Sequence, residues 1–313
     1  PDVPLIDQQK YLNDIIDAAN SVFKKEGASI IGGHTSKGKE LTIGFTILGY
    51  SNKNPITLDG ANHGDLIILA AFLGLTISTS LNLHPFISLI VVIPIMAIFG
   101  YVLQRGILNK TLGNDILPPL LVTFGLSVII QNSLLEIYTA DPQKMNAGVI
   151  EVASLSLPGG LSIGWYPLIM FVISVLIIGI LQFIFYKTAL GRAFRATSDN
   201  QEIAQLMGLS KNHIFGLAMA ISMIVVTIAG IFLGVRTSFD PAAGPSRLIF
   251  GFEAVIIGGL GNLWGTLIGG IILGLSQNIG AKINPGWQIL AGHIAFIIVL
   301  AFRPKGLFHR IDG

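Results

Sequence analysis

Six stretches of this 313-residue chain carry no Asp, Glu, Lys or Arg. They run for 39 residues after Asp65, 20 after Asp115, 35 after Glu151, 24 after Lys211, 28 after Glu253 and 20 after Lys282. A bilayer-spanning helix needs about 20 mostly apolar residues, and a charge at its centre costs about 2.5–3.5 kcal/mol on insertion scales. A soluble core helix seldom avoids charge for so long even once. Residues from about 64 onward therefore read as an all-α polytopic membrane protein. Charged residues make up 12% of the chain, about half the share of a soluble domain. Cysteine is absent, which excludes disulfides, thiolate metal sites and a Cys nucleophile. The balance of 19 basic against 17 acidic residues leaves no dense basic face for a nucleic acid.

Asn82-Leu83-His84-Pro85 breaks the first stretch, because proline restricts the residue before it and stops a helix. The expected spans are 64–82, 86–104, 117–135, 165–186, 214–235 and 287–302. The stretch 250–277 centres on Gly258-Gly259-Leu260-Gly261-Asn262-Leu263-Trp264-Gly265. It suits either one long kinked helix or two half-helices, for about seven or eight membrane segments in all.

Loop charge predicts the orientation. Lys187, Arg192, Arg195 and Lys211 outnumber Asp199 and Glu202 in the loop 187–213, whereas Glu136, Asp141 and Glu151 face Lys144 alone in 136–164. The positive-inside rule puts 105–116, 187–213 and the carboxyl terminus in the cytoplasm, and 136–164 outside. Alternation places residues 1–63 in the cytoplasm too. An inside tail then requires 250–277 to enter and leave on the outer face, which favours the half-helix pair.

Few polar groups lie within the spans. Gln131, Asn132, Glu253 and Asn262 are the candidates for a permeation path, Glu253 being equally readable as a solvated boundary residue. No chain of acids and histidines offers a proton relay. Gly261, Gly265 and Gly269 recur every four residues, a spacing that lets helix backbones approach closely in lipid; the broken centre beside them could also serve as a gate.

In the loop 187–213, Ser198 and Gln201 make a capping box that predicts a helix start. Ile203, Leu206 and Met207 share one face of that helix, and Gly208 suits its left-handed end. Such a helix lies on the membrane interface or docks a soluble subunit.

These residues carry a resemblance. From about 62 to 311 the chain resembles the LivH-type permease subunits of branched-chain amino acid ABC importers. The matching stretches are Asn62-His63-Gly64-Asp65, the run Thr188-Ala-Leu-Gly191-Arg192-Ala-Phe-Arg195-Ala, Met207-Gly208, the run from Phe252 through Glu253 to Gly261, and Arg303-Pro304-Lys305-Gly306-Leu307-Phe308. The resemblance implies a bacterial inner-membrane location and no catalytic residue or cofactor of the chain's own. It implies that Gly191, Arg192, Arg195, Ile203, Leu206, Met207 and Gly208 belong to the element that docks ATPases. The implied partners are a second permease of the LivM type, two cytoplasmic ATPases and an external solute-binding protein. Branched-chain amino acids are the family's usual cargo, with urea, amides or other amino acids as alternatives.

Residues 1–60 differ, holding 13 of the 36 charges. They read as a short α/β fragment with a helix over 8–26 and strands over 28–31 and 41–48. On Gly27-Ala-Ser-Ile-Ile-Gly32-Gly33-His34-Thr35 and Pro55-Ile-Thr-Leu-Asp59-Gly60-Ala61 the fragment resembles selenophosphate synthetase. The string Gly33 to Glu40 has P-loop spacing but ends in Glu40 where Ser or Thr would ligate magnesium. Asp14, Asp17 and Glu26 read as a solvated helix face rather than metal ligands. The expected organisation is a truncated synthetase-like piece joined near 58–66 to a permease domain, 61–313, that lacks the family's usual first span. A non-functional chimera is the corresponding alternative.

Overall fold

The computed structural model describes residues 63–111, 117–158 and 161–308. The synthetase-like fragment, its helix and strands, the P-loop-like string and Asp14, Asp17 and Glu26 lie outside the described residues.

Helix α1 covers His63–Ser80, and the chain turns through Asn82 at a left-handed φ of 50°. Pro85 opens α2, Pro85–Leu103, with His84 as N-cap accepting the Phe86 N–H. A proline fits there because its missing N–H would have had no helical partner. A π-helical turn, Gln104–Leu108, extends α2, and α3 follows at Leu117–Tyr138. The next loop forms an antiparallel hairpin, β1 Ser154–Leu157 with β2 Leu161–Gly164, pairing Leu155 with Ile163. Then come α4 Trp165–Lys187, α5 Ala189–Asp199, α6 Gln201–Leu206 and α7 Lys211–Arg236. The chain finishes with α8 Gly244–Gly258, α9 Leu263–Ile283 and α10 Gln288–Phe302.

Among the described residues six helices are long and apolar enough to cross a membrane, and α1 is a shorter apolar one. They are apolar on all sides, and Ile90, Ile98 and Phe183 stay exposed. In water such a surface would aggregate; in a bilayer it is the lipid-facing side. The fold is an all-α polytopic membrane protein.

Helix α7 is the hub and packs against α1 and α2. Ile68 and Phe72 of α1, Val92 and Met96 of α2, and Met223 and Ile231 of α7 are fully buried in that core. The approach is close enough that a Cβ on Gly230 would stand 2.5 Å from the Ile67 carbonyl oxygen. Helices α8, α9 and α10 pack on one another, and α8 joins them to α1.

Two expectations need correcting. The stretch 250–277 divides in two, but not into halves: α8 has 15 residues and α9 has 21, and the longer reaches about 31 Å, a full crossing. Gly259 and Gly261, at φ of 101° and 82°, make the turn between them. That turn is stitched to the tail, Leu307 N–H to Ile257 O at 2.9 Å and Phe308 N–H to Gly258 O at 3.0 Å. Likewise Ser198 does not start a helix. Thr188 caps α5 earlier, so Ser198 falls inside it, and Asn200 caps α6 by accepting from Glu202 N–H and Ile203 N–H at 3.0 Å each. Gly208 does take the left-handed position, at φ 85°.

Candidate functional site

Helix α8 carries the polar chemistry. At its start Gly244 lies against α1: a Cβ on Gly64 would stand 1.8 Å from the Gly244 carbonyl oxygen, and one on Gly244 would stand 2.0 Å from Asp65 Oδ1. Only glycine allows this approach. Asp65 is 1% exposed; Gln131 Nε2 donates to its Oδ1 at 2.8 Å and Ser127 Oγ donates to its Oδ2. Ser127 and Gln131 lie near the middle of the 22-residue α3, so the carboxylate sits level with mid-span. It occupies the first turn of α1 and touches the first residue of α8, where both helix ends carry positive partial charge. No ion pair to Asp65 is needed to account for its burial.

Farther along α8, Glu253 is 4% exposed and its Oε1 pairs with His293 Nδ1 from α10. Its Oε2 is buried with no partner among the described residues. The His293 side chain is 37% exposed, with Phe250 stacked on it at 6.1 Å between ring centres. Between the two carboxylates Arg247 has a buried Nε, also without a partner among the described residues. This helix thus carries one acid and one guanidinium within its 15 residues and abuts a second acid, Asp65 of α1, where a lipid-facing helix would present none.

The four path candidates separate. Gln131 joins Asp65, and Glu253 joins His293. Asn132 is exposed and donates to Val128 O within its own helix. Asn262 caps α9 by accepting the Gly265 N–H at 2.9 Å and donates to Phe308 O at 3.1 Å, which ties the turn to the tail. Of the three spaced glycines, Gly265 and Gly269 press against Gly258 and Ala254 backbone, while Gly261 sits in the turn, where a Cβ would meet nothing within 4 Å.

The loop 187–213 presents a face. Gly191 is buried at the α4–α5 corner, where a Cβ would meet the Phe185 carbonyl oxygen at 2.2 Å. Arg195 donates to that same oxygen and lies 5.5 Å from the Tyr186 ring centre, whereas Arg192 is exposed. Ile203, Leu206 and Met207 are exposed, Leu206 at 86% and Met207 at 79%, over a buried Ala204. A capped helix with an uncovered apolar face is arranged to bind something apolar.

Sequence reasoning did not assign roles to Asp65, Ser127, Arg247 or His293. Asp65 stood at the edge of a charge-free stretch and read as a boundary. Its depth is set by residues 62 and 66 positions away, as the partner of Glu253 is set by one 40 positions away.

Residues 62–302 match the family described as "Branched-chain amino acid transport system / permease component". The chain is similar to the high-affinity branched-chain amino acid transport system permease protein BraD of Pseudomonas aeruginosa, at 27% identity over 78% of this chain and 80% of that protein. It is similar to the permease LivH of Salmonella typhimurium at 26% identity, over 86% of this chain and 90% of that one. The ribose import permease protein RbsC of Haemophilus influenzae is 28% identical over 82% of this chain and 83% of its own length. No solved structure gives a significant match.

Proposed function

Because the chain belongs to the branched-chain amino acid transport permease family and so is a transport subunit rather than an enzyme, we propose that it forms the translocation path of an ATP-driven importer for branched-chain amino acids. The path runs beside α8, with the partly exposed His293 facing the cargo route, the buried Glu253 backing it and Gln131 holding Asp65 behind them. The loop 187–213 docks two ATPase subunits, through Gly191, Arg192 and Arg195 at its corner and Ile203, Leu206, Met207 and Gly208 at its tip. A second permease of the LivM type and an external solute-binding protein complete the importer. The chain sits in a bacterial inner membrane with 1–60 and the carboxyl terminus in the cytoplasm, as the Lys and Arg bias of 187–213 favours. Residues 1–60 are a joined synthetase fragment, which the intact mass of the expressed protein checks.

The observation that carries this reading is the uncovered apolar face of α6 on a chain of this family. Leu206→Asp in the reconstituted importer should weaken ATPase assembly about 30-fold, the effect of losing an interface hot spot worth about 2 kcal/mol. Unchanged leucine-stimulated ATP hydrolysis in that variant would remove the docking role.

A second reading is raised by the ribose permease, a weaker match than the amino-acid permeases but one of similar identity, 28% against 27%. Uptake of labelled leucine and ribose by the same vesicles separates the two. Leucine uptake alone supports the amino-acid cargo, and ribose uptake alone replaces it.

A further inference from the structure

A cavity of ≈ 780 Å³ separates α4 from the rest of the bundle. Ile173, Ile177 and Leu181 of α4 line one wall, Ala229 and Leu233 of α7 another, and Thr266 of α9 a third. Helix α4 buries only Tyr166 of its 23 residues and is fastened at its ends. Near its start Tyr166 Oη donates to Phe232 O at 2.6 Å, and near its finish Arg195 donates to the Phe185 carbonyl, against which Gly191 packs. Between these fastenings the slot stays open along α4 from Met170 to Phe185, about 22 Å of helix. That exceeds the depth of one leaflet of a hydrocarbon core about 30 Å thick.

We propose that this slot seats an anionic phospholipid, with an acyl chain between α4 and α7 and its phosphate at the α4–α5 corner. The walls are almost wholly apolar, so water gains few hydrogen bonds there, and acyl chains are the solvent of this surface. The two ends differ in charge. Arg236 is the cation lining one end; at the other, Arg195 lines the slot, and the α4–α5 corner that carries it also holds the exposed Lys187, at the end of α4, and the exposed Arg192, in the first turn of α5. Arg195 uses one of its five donors on Phe185 O, which leaves donors for a phosphate. Basic pockets between membrane helices select acidic headgroups in this way. Seated there, the lipid is a wedge that sets the distance of α4, and with it the α5 corner, from α7.

The site rests on membrane residence and not on the cargo, so a failure to transport leucine leaves it standing. The test is native mass spectrometry of the complex released from nanodiscs of phosphatidylcholine mixed with phosphatidylglycerol. The wild-type chain should retain phosphatidylglycerol in preference. Ala229→Trp and Ile177→Trp, which fill the slot from opposite walls, should each abolish retention. Arg195→Gln, and separately Lys187→Gln, should each cut the preference about fivefold, the effect of losing one cation near a charged headgroup. Equal retention of the two lipids would overturn the headgroup assignment. A photo-crosslinker at Ile177 that captures a protein segment, whether residues 1–62 or a partner permease, would overturn the lipid itself.

Discussion

The two buried carboxylates beside α8 are treated differently by the fold. Asp65 has both oxygens occupied, by Ser127 and Gln131, and stands where the positive ends of α1 and α8 converge. Glu253 has one oxygen on His293 and the other buried without a partner among the described residues. A fully satisfied acid at mid-span is a fastening. A half-satisfied one, backed by an imidazole that is partly exposed, is costly to keep and is the kind of group retained for a ligand or a partner. One short helix thus joins an anchored end to a reactive middle.

The comparison breaks most readily at the anchor. Asp65→Ala strands the Ser127 hydroxyl, the Gln131 amide and two helix ends, and should destabilise the chain by about 3 kcal/mol. Thermal unfolding in detergent would read this, with Asp65→Asn retaining part of the loss. Gly64→Ala tests the same crossing without touching the carboxylate. Its Cβ would need to displace the Gly244 carbonyl from 1.8 Å, which should cost about 1–3 kcal/mol. If both variants unfold like the wild type, Asp65 is not a fastening and the contrast with Glu253 disappears.

At the middle of α8 the expected pattern reverses. Glu253→Gln and His293→Gln should lower uptake by the reconstituted importer about tenfold, equivalent to about 1.4 kcal/mol. Their unfolding temperatures should move less than that of Asp65→Asn. Unaltered transport in Glu253→Gln removes this residue from the path. A large loss of stability would make Glu253 a second anchor.

The spans were legible because lipid excludes charge, a rule that acts on each segment separately: the expected spans 64–82, 86–104, 117–135, 165–186, 214–235 and 287–302 coincide with α1, α2, α3, α4, α7 and α10 to within a few residues. The short helix of the loop 187–213 was legible in part for the same local reason, in the spacing of Ile203, Leu206 and Met207, which are exposed together, and of Gly208, which takes the left-handed position. What depends on tertiary register was not. Nothing near Asp65 in the sequence says that α1 begins level with the middle of α3, or that Gly244 lies against it. Glu253 opens a charge-free run and reads as a boundary residue until α8 is seen to bury it against α10. Gly261 shares the four-residue spacing of Gly265 and Gly269 yet serves the turn, because α8 has already ended at Gly258.

A third acid supplies the solvent-facing limit of the comparison. Glu151, in the loop between α3 and α4, accepts from Lys144 Nζ at 2.9 Å and from the Ala147 N–H at 2.6 Å. The Lys144 hydrogen bond, then that from Ala147, holds its carboxyl below the ordinary value of 4.5. The unfolded chain therefore takes up this proton at a higher pH than the folded one does. Any stability Glu151 contributes is present in full above about pH 4.5, falls as the pH drops below that, and is gone once the folded carboxyl is protonated. Exposed pairs contribute about 0.2–1 kcal/mol, so the effect should be the smallest of the three acids. Protease cleavage within 144–164 should accelerate as the pH falls below about 4.5 in the wild type and change less in Glu151→Gln. If the variant follows the wild-type profile, the acid sensitivity of this loop belongs to another group, and Glu151 no longer provides the screened case against which the two buried acids are measured.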